Sequence, residues 1–210
     1  MQLILWPAVI TLAITLLRLA GEFQHWPSAL FNPVAGGGGA LVGISWLPLV
    51  LGPYFAWKLA QSGKGPQNAW KAAGMAFLGW ALTFGVFAGA QRFGVDAIMG
   101  ALLVSLAAAF IPWKAWPELA KLLFGYALAA RVPVAIVMLP AIYGKWGTHY
   151  DALPPNPPPA LVTMGPLGQW FFIGFIPQMT IWIAFTVLVG TLVGAIVVAL
   201  GKPKAAVTRS

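Results

Sequence analysis

Arg131 is the residue whose chemistry most needs an explanation. It sits near the middle of a long apolar run, Leu119–Tyr143. A charge at that depth in a membrane costs roughly 2.5–3.5 kcal/mol on insertion scales, so it must face the bundle interior, a partner or water. A guanidinium matches a carboxylate or phosphate through two parallel hydrogen bonds, and the functional reading is therefore an anion or headgroup site. Ala127 and Ala135 leave room one turn away on either side. The structural reading is a lock: Pro133 frees a backbone carbonyl near residue 129, which Arg131 could cap.

A second constellation lies near the start of the chain. Thr11, Thr15, Arg18 and Glu22 are spaced four, three and four apart, which places them on one face of a helix. Arg18 and Glu22 can pair as i,i+4 neighbours. With Arg131, the residues Thr15, Arg18 and Glu22 form the candidate ligand-binding set, a polar track from the outer surface inward. The plainer reading is an interfacial ion pair, with the threonines bonded to their own backbone.

The two histidines, His25 and His149, fall in connecting segments with Glu22 and Asp151 nearby in sequence. Two imidazoles and two carboxylates would suit a hydrolytic metal or an acid–base pair. Glu22-x-x-His25 and His149-x-Asp151 are not established metal spacings, so His25, His149 and Asp151 are the weakest candidates, and neither metal nor cofactor is expected. Neither histidine lies inside a span, where a b-type haem would be held. The chain has no cysteine, which excludes disulfides, thiolate metal sites and iron–sulfur clusters. No Asp or Glu lies within a span and no serine occupies a nucleophile elbow. These absences argue against a proton-coupled pump, an intramembrane aspartyl protease and a serine hydrolase. The sequence reads as a binder or carrier more than as an enzyme.

The elements that must position these groups are membrane helices. Of 210 residues, 60% are hydrophobic and 8% charged, outside the range of soluble globular chains. Six apolar stretches stand out: Leu3–Ala20, Ala40–Ala60, Ala72–Ala90, Ala97–Pro112, Leu119–Tyr143 and Pro177–Leu200. Several reach the ~20 residues that cross ~30 Å of hydrocarbon. The expected fold is all-α: one domain over residues 1–210, a polytopic integral membrane protein built as a six-transmembrane-helix bundle with proline-kinked helices. Gln169–Ile176 reads as an interfacial helix that turns into the last span at Pro177. The segment DALPPNPPPALV cannot be helical and reads as polyproline.

Charge orients the bundle. Six spans place Lys58, Lys64, Lys71, Lys114, Lys121, Lys202, Lys204 and Arg209 on one face, and Arg18, Arg92 and Lys145 on the other with three of the four acids. Basic residues of short loops stay cytoplasmic, so both termini are expected inside, in a cell (inner) membrane. The net charge of +8 is then a topology signal, and nucleic acid is not an expected partner. Membrane lipids are, together with an anionic small molecule. The pairs Gly85/Gly89 and Gly190/Gly194 allow close helix approach, within the chain or at a homodimer seam. The scarcity of catalytic groups also fits an accessory subunit of a larger membrane complex. A third reading is an outer-face enzyme using Glu22, His25, His149 and Asp151.

Topology is directly testable. Reporters fused after Ser210 or within residues 61–68 should read cytoplasm, and one within residues 153–160 should read outside. Signals from Ser210 and residues 153–160 on one side would break the six-span arrangement.

Overall fold

The computed structural model describes residues 2–36, 40–90, 92–93 and 95–201, with the backbone alone at residues 95 and 96. Glycines 37–39, the Asp96 side chain and the tail residues Lys202, Lys204 and Arg209 lie outside this description. The described chain is all-helical, with no strand. Its helices are α1 (Gln2–Phe23), α2 (Leu47–Gln61), α3 (Ala69–Ala90), α4 (Val95–Ala108), α5 (Pro117–Gly144), the short α6 (Pro159–Thr163), α7 (Pro166–Gln169) and α8 (Ile176–Met179), and α9 (Ile181–Gly201). A 3-10 turn at Ile111–Lys114 extends α4, and a π-helical stretch at Trp170–Phe175 joins α7 to α8. The expectation that the proline-rich segment holds no helix fails at its end. Helix α6 starts on Pro159, because proline is tolerated in a first turn, where no N–H is needed.

Among the described residues, five helical segments are long and apolar enough to cross a membrane: Gln2–Phe23, Ala69–Ala90, Ala97–Lys114, Pro117–Gly144 and Pro166–Gly201. Helix α2 is the exception. Its 15 residues extend about 22 Å at 1.5 Å per residue, short of the ~30 Å core. The apolar run begins at Ala40, but the helix begins only at Leu47. Pro48, in the first turn, sets that start: proline lacks an N–H and fits a helix only where no earlier turn needs one. The last helical segment is interrupted at Thr180 (φ −119°, ψ −85°), three residues beyond Pro177. The Thr180 hydroxyl donates to the Ile176 carbonyl at 2.7 Å and satisfies backbone exposed by the break.

Contacts define how the helices run. Gly52 meets Gly190, Ala56 meets Gly194, and Trp57 meets Gly201, so α2 and α9 run parallel. Leu123 packs on Gly190 while Arg131 packs on Trp182, so α5 runs against α9. Helix α1 follows α5, from Ile4 beside Gly125 to Phe23 beside Trp146. One end of the bundle therefore gathers Lys64, whose carbonyl accepts from Trp116 Nε1 at 2.9 Å. The other end gathers Lys145, Trp146 and the Glu22 turn.

Polarity is inverted relative to a soluble fold. Thr11, Thr15, Arg18 and Glu22 are buried, while Leu5 and Trp6 on the same helix are 60% and 70% exposed. Such an outward apolar surface is compatible with lipid as the surrounding solvent. The core packs Phe55 of α2 with Trp116, which precedes α5, Leu119, Leu123 and Tyr126 of α5, and Val187 and Leu188 of α9.

The two small-residue pairs separate here. A Cβ on Gly194 would lie 2.7 Å from the Gly52 carbonyl oxygen, and one on Gly52 would lie 2.6 Å from Gly190 Cα. A Cβ on Gly85 or Gly89 would meet nothing within 4 Å among the described residues. Gly52→Ala should therefore destabilise the protein by about 1–3 kcal/mol through overpacking. Gly85→Ala should be neutral, or stabilising by up to about 1 kcal/mol. Thermal unfolding in mild detergent reads both, and equal melting temperatures for the two variants would refute the crossing.

Candidate functional site

A cavity of about 750 Å³ opens in the half of the bundle above the glycine crossing. It lies between α1, α5, the broken α8–α9 segment, the loops at residues 43–45 and 149–154, and parts of α3 and α4. Non-helical backbone at membrane depth is tolerated where it is buried in protein or lines such a space. The segment Gly43–Ser45, left outside α2 by Pro48, lines this space. Most of the wall is apolar, including Ile98, Leu102, Val134, Met138, Leu161 and Phe172.

Three of the four candidate ligand-binding residues, Thr15, Arg18 and Arg131, line this cavity, as does His149. The helix 1 stripe is one buried face, as its spacing predicts. Its threonines already have partners. Thr11 Oγ1 donates to the Pro7 carbonyl at 2.7 Å and pairs with Tyr126 Oη at 2.8 Å, and Thr15 Oγ1 donates to the Thr11 carbonyl at 2.9 Å.

Glu22 is the hub of the upper cluster. Its Oε1 accepts from Arg18 Nε at 2.7 Å and faces His149 Nδ1 at 2.6 Å. Its Oε2 accepts from the His149 backbone N–H at 2.8 Å. Arg18 also donates to the Asn32 carbonyl at 2.8 Å. A carboxylate can only accept, so His149 must carry a proton on Nδ1. The neutral imidazole then presents Nε2 as its lone-pair nitrogen. Burial holds the His149 imidazole below its ordinary pKa, against the Glu22 hydrogen bond that pulls the other way. The neighbouring Tyr150 phenol is pushed up, mainly by burial, and its hydroxyl donates to the Thr15 carbonyl at 3.0 Å.

The other loop candidates make no side-chain hydrogen bond to Glu22 or His149 among the described residues. His25 is exposed, in the left-handed region at φ 52°. The Asp151 carboxylate closes its own turn by accepting from the Gly147 and Thr148 backbone N–H groups and from the Thr148 hydroxyl, at 2.7–2.9 Å. Among the described residues, no three His, Asp or Glu side chains gather as metal ligands would.

Arg131 is treated differently from Arg18. It is 4% exposed, and its guanidinium carbon lies 4.6 Å from the ring centroid of Trp182. Its Nε has no hydrogen-bond partner among the described residues. The expected cap on the carbonyl at residue 129 is not among the hydrogen bonds there; the aromatic face of α9 takes the guanidinium instead. Sequence reasoning missed Gln178, which is 8% exposed, lines the same cavity and leaves Oε1 unpartnered among the described residues. A lone glutamine after a proline in an apolar run was its only signal. Comparison with known proteins adds no assignment: no family model, curated protein or solved structure matches the chain.

The depressed His149 pKa has a signed consequence. Its stabilising contribution is fully present above the unfolded-state value of about 6.5, and is lost as pH falls through the lower native value. The melting temperature in detergent should drop on acidification below about pH 6.5, and His149→Gln should flatten that drop. An unchanged pH slope in the variant would show that another group carries the titration.

Proposed function

We propose that the protein is a six-span inner-membrane module, both termini cytoplasmic, that binds or carries an anionic amphiphile inside its bundle. The observation that carries this reading is Arg131: a buried guanidinium, unpaired at Nε among the described residues, on the wall of a largely apolar cavity. A buried charged group with an unmet hydrogen bond is costly, and an anion entering the cavity would supply the missing acceptor. The apolar wall suits a hydrocarbon chain, and a cavity of about 750 Å³ falls within the roughly 300–1,000 Å³ usual for small-molecule sites. Helix α2 counts as the sixth span in this arrangement, with residues 40–46 completing its crossing and Gly43–Ser45 among them lining the cavity. Its parallel course with α9 supports that count. The helix 1 cluster, with Arg18 and Glu22 paired and Thr15 below them, would form the upper rim of the site.

Arg131→Leu separates site from lock. For a ligand site, the empty variant should melt at or above the wild-type temperature, and stabilisation by added oleate should vanish. Neutral monoolein, which lacks the charge, should affect the two proteins equally. Arg131→Lys keeps the charge but loses the planar fork, so it should restore oleate stabilisation only in part. A loss of ~3–5 kcal/mol in the empty Leu variant, the cost of breaking a buried pair, with an unchanged oleate response, would overturn the proposal.

A further inference from the structure

Resting on the anion-site reading, we infer that the bound headgroup carries a hydroxyl beside its anionic oxygens, and that Gln178 reads it. Two residues lining this cavity each hold a buried polar atom without a partner among the described residues, and the two atoms are of opposite kind. Arg131 Nε is a donor with nothing to donate to. Gln178 Oε1 is an acceptor with nothing to accept from. Buried groups of this sort normally find partners, because leaving one unsatisfied forfeits the hydration it had in water. A simple carboxylate satisfies the first and leaves the second orphaned. A headgroup with an anionic oxygen and an adjacent O–H offers an acceptor for the first and a donor for the second.

Local structure holds Gln178 in place. It sits in α8 between Pro177 and the interruption at Thr180. Trp182, two residues past the interruption, stacks against Arg131, so the same broken segment carries the glutamine and orients the guanidinium. The wall around Val134, Met138, Leu161 and Phe172 is hydrocarbon and suits a chain attached to that headgroup. The shared chemistry is therefore an acyl-chain anion with a neighbouring hydroxyl. A 2-hydroxy fatty acid and a monoacyl glycerol phosphate both present it.

The test uses the full chain in neutral detergent, reading affinity by thermal shift or intrinsic tryptophan fluorescence. 2-Hydroxyoleate is compared with oleate, and oleoyl lysophosphatidate with its 2-methoxy ether, which cannot donate. Each hydroxyl compound should bind wild type roughly threefold to tenfold more tightly than its mate, the worth of one hydrogen bond. Preference in only one pair would identify the carboxylate or the phosphate as the anion. Gln178→Met, similar in length and apolar, should bring the ratio close to one while oleate binding persists. Equal binding of both members in both pairs, with oleate binding still abolished by Arg131→Leu, would overturn the hydroxyl inference and leave the anion site standing. A preference that survives Gln178→Met would also overturn it. Failure of every anionic chain to bind wild type would remove the anion reading itself. The wild-type comparison needs no variant, so a poorly folding Gln178→Met cannot shield the inference.

Discussion

Backbone lies directly on backbone where Gly52 meets Gly190 and Gly194, and much of the bundle follows from that contact. Without side chains between them, α2 and α9 approach closely, and Leu123 of α5 seats on Gly190 from another side. In lipid, helices gain little from hydrophobic transfer against one another, so such close packing carries association. The contact ties three helices together at one level. Above that level α2 ends, because Pro48 sets its first turn, and the chain entering it is not helical. Gly43, Ile44 and Ser45 of that entering chain line the cavity.

The cavity carries two arginines that are partnered in different ways. Arg18 is matched by Glu22 and the Asn32 carbonyl, and Glu22 is further saturated by the backbone and ring of His149. That cluster ties the end of α1 to the loop following α5 and has a structural role whatever else it does. Arg131 instead has the face of Trp182. A cation–π contact supplies about 2 kcal/mol when desolvated, but it does not replace the hydrogen bond that the Nε–H gives up on leaving water. Structural saturation at one end and unmet demand at the other give the cavity its direction.

Several of these features were legible in the chain itself. A charge inside an apolar run is rare enough to mark Arg131 without any coordinates. The four-three-four spacing of Thr11, Thr15, Arg18 and Glu22 puts them on one face because the helix period is 3.6, and that face is the buried one. Both are local properties: a residue type against its immediate background, and a period. The same locality explains the all-helical, membrane-compatible fold.

What the sequence by itself determined is therefore the helical class, the apolar surface and the two most conspicuous groups, since composition and period act over one helix at a time. Tertiary structure alone decided which neighbours those groups meet. Gly85/Gly89 and Gly190/Gly194 share one spacing, yet among the described residues only the second pair has backbone and side chains pressed against it. Glu22 and His149 stand 127 residues apart, and nothing in either neighbourhood announces the other. Gln178 is an ordinary polar residue until the break at Thr180 and the course of α9 bring it onto the cavity of Arg131. Pairing across a bundle depends on how helices cross and where they stop, and those are settled by contacts between distant segments.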